Sequence, residues 1–578
     1  MKPIQDIIQF VSSSPNVEIH LTDGRVLCGP RKTPIGVFLM ALPEADHRDP
    51  IVGAVVNGEL RELTFPINIE AQVQPIKMSN ADGSRIYRRS ITFLLEAAFE
   101  DLFPTADIGI VHSLSSGGFY CSVINRGPLS NDELNALEAR MKELVKLDLP
   151  FERSVVPLQE AIDYFQSKNQ VEKVQLLKYR KKATLVLYRL RDRRDYHHGY
   201  MVPSTGILRW FALSPMDEGF ALRFPRRRAP DQLPPLSDSN KLLATFREYN
   251  DWLVRLGIGN VGSMNDAILA SRTREIILVS EALHEHRIAE IASQVMDRVK
   301  EAGIVLIAGP SSSGKTTFSK RLTIQLLAQG ISPYPMEMDN YFVNREHTPK
   351  DENGDFDFEA LEALNIVQLQ SDLQRMIAGE EVQLPGYNFR LGQSEPGQVV
   401  RLKKDQLIIL EGIHGLDPRL LPDIPANQTF RIYVSCLTQL NLDRHNRIST
   451  TDTRLLRRLI RDARDRGYTA QETIGRWQSV QLGEKKYIFP YQENANALFN
   501  SALVYELSAL RLLAEPLLRQ TTFGTSQYIE AKRLLAFLEW FEPIDEKLIP
   551  DNSILREFIG DSILEGFTLW EGGKTIGG

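Results

Sequence analysis

The chain has 578 residues, which at roughly 150 residues per domain corresponds to about four domains. Its 43% hydrophobic and 25% charged residues are typical of a globular protein and exclude collagen-like, disordered and mucin-like chains. The 68 Lys and Arg residues nearly balance the 74 Asp and Glu residues. No whole-molecule field therefore attracts nucleic acid or a membrane, and any basic site must be local.

The three cysteines, Cys28, Cys121 and Cys436, favour neither a disulfide framework nor a four-thiolate metal site. The amino-terminal stretch MKPIQDIIQFVSSSP lacks a small-residue cleavage pattern, so it does not predict a signal peptide. The longest apolar runs fall far short of the ~20 residues that cross a bilayer. We therefore expect a cytoplasmic protein that has no membrane partner.

In chain order, the first predicted unit covers residues 1–75, where strand-like residues alternate around a hairpin at Asp23-Gly24. The second covers residues 76–228 and is predicted to be α+β. Its helices are predicted in SITFLLEAAFEDLF, NDELNALEARMKELVK and LQEAIDYFQS, and its strands in IGIVHSL, GGFYCSVI, KVQLLKYR and KATLVLYRL. The Pro-rich segment from Arg223 predicts a linker.

Three further segments complete the predicted organisation. Residues 229–300 form a linker and helical connector, residues 301–505 show an α/β pattern, and residues 506–578 form a helical tail. We therefore predict a multidomain protein of mixed α/β and α+β class, with its parallel sheet flanked by helices in the carboxy-terminal half.

The stretch GIVLIAGPSSSGKTTFSKRL matches GxxxxGK[ST] between an apolar strand and an amphipathic helix, which predicts a P-loop. Its glycines and serines leave room for convergent N–H donors, Lys315 would neutralise the β- and γ-phosphates, and the Thr316 hydroxyl would ligate Mg²⁺. The predicted nucleotide-binding residues are Gly309, Ser311, Ser312, Ser313, Gly314, Lys315, Thr316 and Thr317. We therefore expect ATP and Mg²⁺ as cofactors, and the absence of an NKxD string disfavours a GTPase.

Two acids follow predicted strands of the same unit. Asp339 ends the strand after the P-loop helix, where it could meet an acceptor hydroxyl, and an ordinary turn acid is the alternative. Glu411 ends the apolar strand DQLIILE, where it could serve the metal, and a helix-start carboxylate is the alternative. Both acids are expected at the edge of the sheet that carries the P-loop.

Arginines cluster on one predicted helix, TDTRLLRRLIRDARDRG. Arg454, Arg458 and Arg461 lie within two turns of it, and such a cluster could close as a lid over the transferring phosphate. The interleaved Asp462 and Asp465 also fit a solvated helix with i,i+4 ion pairs.

Together the strings GPSSSGKTT, MEMDNYF, DFDFEALEAL, LPGYNF, IILEGIHGL and RRLIRDARDRG resemble the uridine kinase/phosphoribulokinase family of P-loop kinases. The resemblance implies transfer of the ATP γ-phosphate to a primary hydroxyl, with uridine or cytidine converted to UMP or CMP. By position, Asp339 matches the catalytic acid, which also contacts the substrate, and Glu411 the Mg²⁺-associated acid. The further matches are Arg458, Arg461 and Arg466 as phosphate-contacting lid arginines, and Asp357 and Tyr387 as substrate-contacting residues.

The chain departs from this family where the acceptor is chosen. DFDFEALEA replaces an FDHPDA-type string, and Gly392 lies near the position of a base-reading histidine. Another donor must replace that histidine, or the acceptor is a different alcohol such as a phosphosugar or a pantothenate-like molecule.

The amino-terminal units resemble the TGS-like and editing domains of threonyl-tRNA synthetases. Arg89, Phe93, His197 and Met201 stand where the editing domain is expected to carry HxxxH and a Cys/His pair, so three of its four polar groups are lost. We expect no deacylation of mischarged tRNA.

A basic and aromatic stretch between Lys178 and Arg194 could grip RNA phosphates, or form one solvated face of a strand. These units could instead regulate the kinase or make a homo-oligomer. In a further alternative, the chain is an RNA-binding protein whose nucleotide site acts as a switch.

Overall fold

The computed structural model describes residues 14–43, 48–114, 116–236, 240–299, 303–350, 354–403, 406–438, 440–567, 569–571 and 574–576. Most of the stretch tested for a signal peptide lies outside these residues. The described chain divides into two compact units. The first holds the residues up to 236 together with Arg444–Asn446 and Thr522–Ile529, and the second holds the others. This division falls inside the predicted linker, while the finer five-domain division stays a prediction.

The first sheet of the first unit has five strands and packs on helix α1 (Ile35–Met40). The strands are β1 (Asn16–Leu21), β2 (Val26–Pro30), β3 (Ile51–Val56), β4 (Glu59–Arg61) and β5 (Ala71–Lys77), in the order β2-β1-β5-β3-β4. β1 pairs antiparallel with β2 and parallel with β5. The hairpin predicted at Asp23-Gly24 is confirmed, and Gly24 takes the positive φ of +89° that its tight turn requires.

The rest of the first unit combines four helices with two antiparallel sheets. The helices are α2 (Ala81–Leu102), α3 (Asn131–Lys146), α4 (Leu158–Ser167) and α5 (Val171–Leu177). The strands are β6 (Asp107–Ser113), β7 (Phe119–Ile124), β8 (Glu152–Pro157), β9 (Thr184–Leu190), β10 (Arg193–Asp195), β11 (Ala212–Met216) and β12 (Gly219–Arg223), in the orders β10-β9-β8 and β11-β12-β7-β6.

The strand predicted for KVQLLKYR is wrong, because its first five residues complete helix α5. The apolar positions Val174 and Leu177 have helical spacing, and Lys173, Leu176 and Leu177 are buried. Lys173 is fully buried because its ammonium pairs with the carboxylate of Asp195. The ion pair therefore allows a lysine to lie on the buried face of the helix, and the hydrophobic periodicity alone does not predict this.

The second unit contains the remaining elements. Its helices are α6 (Asn240–Leu256), α7 (Val261–Leu269), α8 (Thr273–Val299), α9 (Lys315–Ala328), α10 (Ile366–Ile377), α11 (Thr450–Arg466), α12 (Ala470–Tyr487), α13 (Glu506–Arg519), α14 (Ser526–Leu538, whose first turn is grouped with the first unit) and α15 (Arg556–Ile559). Its strands are β13 (Ile304–Ala308), β14 (Ser332–Glu337), β15 (Glu381–Asn388), β16 (Gln393–Arg401), β17 (Gln406–Glu411), β18 (Thr429–Ser435), β19 (Ala497–Asn500), β20 (Leu569–Glu571) and β21 (Lys574–Ile576).

Five of these strands form a parallel sheet in the order β14-β17-β13-β18-β19. β13 lies at its centre and is buried along its whole length, as expected for a parallel strand covered by helices on both faces. The register places Glu411 at the end of β17 opposite Ile307 of β13. The carboxyl ends of the strands therefore meet at one edge, and the predicted fold class is confirmed.

β15 and β16 form a separate antiparallel hairpin. Within the described parts of the chain, no helix combines the length and apolar character needed to cross a membrane.

Candidate active site

The loop between β13 and α9 forms a narrow cradle. A Cβ on Gly309 would lie 2.0 Å from the Val434 carbonyl oxygen, so only glycine lets this loop run so close to β18. Gly314 precedes α9 with a left-handed φ of +85°. The hydroxyls of Ser312 and Ser313 are buried and have no hydrogen-bond partner within the described structure. Unsatisfied buried donors cost free energy, so the cradle fits an anionic ligand that accepts from them.

Lys315 is the first residue of α9, and its ammonium bends back over the loop. Its Nζ donates to the carbonyl oxygen of Pro310 at 3.3 Å. Among the described residues, no carboxylate forms an ion pair with Lys315. Its charge is therefore available to a phosphate in the cradle.

Thr316 and Glu411 are brought together as the sequence predicted. The Thr316 hydroxyl donates to Glu411 Oε1 at 3.0 Å. Burial, together with the nearby carboxylates Glu557 and Glu337, raises the pKa of Glu411 to about 7, although Lys315 opposes the shift. A hydroxyl beside a carboxylate is the oxygen donor set that Mg²⁺ prefers, so these two residues fit the metal.

Asp339 lies just beyond the end of β14, in a 3₁₀ turn. Its side chain is exposed, yet nearby protein atoms desolvate the carboxylate and raise its pKa, while Lys315 and Arg466 lower it. β14 is not adjacent to β13, because β17 lies between them. The two predicted acids therefore lie at the ends of neighbouring strands.

Three of the arginines on this helix converge on one buried acid, Asp462. This carboxylate is 1% exposed and lies 3.1 Å from Arg458, 3.1 Å from Arg461 and 3.3 Å from Arg466. Arg458 also donates to the hydroxyl of Ser311 at 3.0 Å. Asp462 is thus not a solvated partner of a surface helix, because it fixes three cations next to the cradle.

Arg454 and Glu484 hold the backbone of Ser311, and the sequence did not identify Glu484. Arg454 Nε donates to the Ser311 carbonyl oxygen at 2.9 Å, and the Ser311 N–H donates to Glu484 Oε1 at 3.0 Å. The two side chains also form an ion pair that is almost wholly buried. Because Glu484 is 173 residues away from Ser311, no local pattern indicated this contact.

Two acids of the string DFDFEALEAL have different surroundings. Asp357 accepts a hydrogen bond from the Tyr487 hydroxyl at 2.8 Å. Glu359 packs against Gly483, where a Cβ would lie 2.6 Å from its own Cβ. Burial and Glu484 raise the pKa of Glu359 to about 7, while Arg458 and Lys315 lower it. Glu359 is therefore the acid of this string that faces the cations of the cradle.

Tyr387 belongs to an aromatic trio with Phe342 and Phe389. The ring centroid of Tyr387 lies 5.6 Å from that of Phe342 and 5.0 Å from that of Phe389. Its hydroxyl oxygen is buried and has no hydrogen-bond partner in the described structure. Gly392 has a φ of +70°, and a Cβ there would lie 2.8 Å from Arg345 Nε. Arg345 therefore fills the space beside the position where the resembling family carries a histidine.

In the first unit, the residues at the four expected editing-site positions pack closely against their neighbours. The Arg89 guanidinium lies against Gly199, and the Phe93 ring lies 5.1 Å from the His197 ring. Met201 is 1% exposed. Burial lowers the pKa of His197 far below its ordinary value. The position expected to hold hydrolytic groups is therefore occupied by a neutral histidine and packed side chains.

Next to His197 lies a buried network of charges, which includes Glu96 and Arg193. His445 Nδ1 lies 3.0 Å from Asp195 Oδ2, and Arg444 Nη1 lies 2.8 Å from Asp107 Oδ2. Ligand atoms of Glu96, Asp195 and His445 lie close enough together to hold a metal ion. The ammonium of Lys173 contacts both Asp195 and His445, so the charge that a metal would supply is already present.

Four arginines of the basic stretch are paired with acids of the same unit. Their partners are Glu152 for Arg189, Asp101 for Arg191, Glu96 and Glu100 for Arg193, and Glu160 for Arg194. Acids of the same unit therefore compensate at least four of the eight cationic residues in this stretch.

Two parts of the chain are similar to different groups of known proteins. Residues 304–508 match the model described as the Phosphoribulokinase / Uridine kinase family. The amino-terminal half matches threonine–tRNA ligases, and the chain is 32% identical over 164 residues to that of Lawsonia intracellularis and 34% over 168 residues to that of Halorhodospira halophila. These alignments cover 28% and 29% of the chain, but only 25% and 26% of the relatives. Both resemblances seen in the sequence are confirmed.

Solved structures are also similar to part of the chain. A structure titled "Possible Uridine Kinase" from Bacillus stearothermophilus is 17% identical to this chain, with a TM-score of 0.24. The alignment covers 36% of this chain and 100% of that structure. D-glycerate 3-kinase from Cryptococcus neoformans is 14% identical, and 36% of this chain covers 89% of it, also with a TM-score of 0.24.

Proposed function

We propose that the chain is an ATP- and Mg²⁺-dependent phosphotransferase that phosphorylates a primary hydroxyl of a small molecule, with uridine or cytidine as the acceptor. The observation that carries the proposal is the combination of a phosphate cradle with unsatisfied hydroxyls and an adjacent desolvated acid, Asp339. The family match over residues 304–508 supports the same reaction class.

In this proposal Lys315 neutralises the phosphate that moves, and Asp339 orients the acceptor hydroxyl. A raised pKa makes Asp339 a better proton acceptor, and it takes the hydroxyl proton as the new phosphate ester bond forms. Arg458, Arg461 and Arg466 stabilise the charge on the transferring group, because Asp462 holds all three beside the cradle.

Thr316 and Glu411 would hold Mg²⁺, which when bound supplies positive charge to the phosphates. Glu411 must be ionised to act as a ligand, and the nearby Lys315 favours its ionised form.

The acceptor is proposed to lie between the aromatic trio and Glu359. Aromatic rings offer stacking to a planar base, and the free hydroxyl of Tyr387 can donate to a polar base edge. The carboxylate of Glu359 can accept hydrogen bonds from ribose hydroxyls. The family resemblance implied a substrate contact for Asp357, which accepts from the Tyr487 hydroxyl.

A second candidate acceptor is an alcohol that carries an acidic group, such as a phosphosugar or a pantothenate-like acid. Arg345 beside Gly392 favours it, because the guanidinium makes no ion pair within the described chain and donates to the carbonyl oxygen of Phe389 at 3.0 Å. Guanidinium groups bind carboxylates and phosphates in bidentate fashion.

The test is an acceptor panel with full-length protein, ATP and Mg²⁺, in which mass spectrometry detects addition of one phosphoryl group. We expect uridine and cytidine to be phosphorylated. Phosphorylation of the acidic alcohols alone, abolished by Arg345→Ala, would establish the second candidate. If no alcohol reacts and only tRNA accelerates ATP hydrolysis, the RNA-binding switch replaces the kinase. RNA contact by the first unit would then use lysines such as Lys178 and Lys181, because the neighbouring arginines are paired.

A further inference from the structure

A carboxylate from the end of the chain binds the first turn of the P-loop helix. The Thr317 N–H donates to Glu557 Oε2 at 3.0 Å, across a separation of 240 residues. Thr317 is the third residue of α9, and its N–H is one of the donors that a helix start leaves without an intrahelical partner. A phosphate bound in a P-loop uses these same donors.

Residues 550–567, which we call the terminal segment, contact the cradle and two helices beside it, α9 and α11. The Arg457 guanidinium lies 5.0 Å from the centre of the Phe558 ring. Lys320 Nζ donates to the carbonyl oxygen of Leu564 at 2.9 Å. A Cβ on Gly314 would lie 2.5 Å from Ile554 Cγ2, so the segment also touches the cradle glycine. Glu557 is therefore held in place by a packed segment.

Glu557 also changes the charge that an incoming phosphate meets. Its carboxylate raises the pKa of Glu411, which places its negative charge near the predicted metal ligand. One N–H makes one strong hydrogen bond, so Glu557 and a phosphate oxygen cannot both accept from Thr317. The carboxylate would also repel the polyphosphate, and nucleotide binding therefore requires it to move.

We propose that the terminal segment is an autoinhibitory element, in which Glu557 occupies a phosphate-binding N–H of the P-loop until ATP displaces it. This inference rests on the proposed binding of ATP at the cradle. The simpler reading is that Glu557 only caps α9, since Gly314 has no side chain to do so. The two readings differ in what happens to ATP affinity when the carboxylate is removed.

The experiment measures the dissociation constant of ATP by calorimetry for full-length wild type, Glu557→Ala and Glu557→Gln. Loss of a charge-assisted competing hydrogen bond should lower the Kd of Glu557→Ala about tenfold. Glu557→Gln retains an acceptor without the charge, so a smaller decrease is expected. Glu565→Gln is the matched control, because Glu565 is an exposed acid of the same segment. An ATP affinity that Glu557→Ala leaves unchanged would show that Glu557 is only a helix cap.

Hydrogen exchange of residues 553–560 in the wild-type protein gives a second measurement that needs no variant. Saturating ATP should increase their exchange, because the terminal segment leaves the cradle. Unchanged protection with ATP bound would overturn the inference but leave the proposed function intact. If neither wild type nor Glu557→Ala binds ATP, the proposed function itself is wrong, and the inference falls with it.

Discussion

Each of the two units contains a buried polar cluster, and the two clusters differ in whether their polar groups have partners within the chain. In the first unit, Asp195 contacts the cations Lys173 and His445. In the second unit, the buried hydroxyls of Ser312 and Ser313 have no hydrogen-bond partner within the described structure. The first cluster supplies its own counter-charges, whereas the second has hydroxyls that can donate to a ligand oxygen.

The pKa values of the buried acids also differ between the two clusters. Burial alone would raise the pKa of Asp195 and Asp107, but the cations around them lower it, so their charged forms are stabilised. For Glu359 and Glu411 burial prevails and raises the pKa to about 7. Glu96 is the exception in the first unit, because its complete burial outweighs the nearby cations. Strongly raised pKa values concentrate at functional sites, so those of Glu359 and Glu411 support the candidate site together with its geometry.

The largest expected effect comes from Lys315→Ala. Removal of the ammonium, which bends back over the loop, leaves the phosphate in the cradle without this neutralising charge, and we expect kcat/KM to fall about 10³-fold. Steady-state kinetics with the acceptor found in the panel measures it. An unchanged melting temperature shows that the variant is folded, and full turnover by such a folded variant would remove the cradle from the reaction.

Asp339→Asn should have the next largest effect. Asparagine keeps the size of the side chain but cannot take the hydroxyl proton, so kcat should fall about 10²- to 10³-fold while the Kd of ATP changes little. Glu337→Gln is the matched control, since Glu337 is a nearby acid at the end of β14 whose pKa is also raised by burial. Equal losses in both variants would show that Asp339 acts through local charge and has no specific catalytic role.

The sequence predicted those parts of the site that local patterns define. The P-loop glycines, Lys315 and Thr316 lie in one strand–loop–helix string, and Glu411 ends an apolar strand. Because parallel strands end at the same side of a sheet, the sequence predicted that these residues lie together. The strand predicted for residues 173–180 is wrong because a buried lysine with an ion partner resembles a polar surface position in the sequence.

Long-range contacts could not be predicted in this way. Glu484 and Glu557 reach the cradle from 173 and 240 residues away, and nothing in their own neighbourhoods distinguishes them from surface acids. Asp462 looked like one half of an ordinary i,i+4 pair, and only the fold reveals that it is buried among three arginines. Tertiary packing decides which charged residues of a helix point inward.

The smallest expected effect is a change of stability with pH, caused by His445 in the charged cluster of the first unit. Burial alone would lower the pKa of His445, but Glu96 and the bonds to Asp107 and Asp195 raise it to about 9, while Lys173 opposes them. The folded state therefore binds a proton that the unfolded state, with an ordinary histidine pKa of about 6.5, has lost. This stabilisation is complete below pH 6.5 and disappears as the pH rises through 9.

Wild type should accordingly lose stability on the order of 2 kcal/mol between pH 7 and 9.5, as measured by the opening free energy of α2 amides in hydrogen exchange. His445→Gln should be less stable at pH 7 and show little further change over this range. His286→Gln is the control, because His286 is exposed and belongs to the second unit. If the opening free energy of His445→Gln still fell with pH as in the wild type, a charged His445 would not balance the network. The contrast between a self-compensated cluster and a ligand-dependent site would then lose its main support.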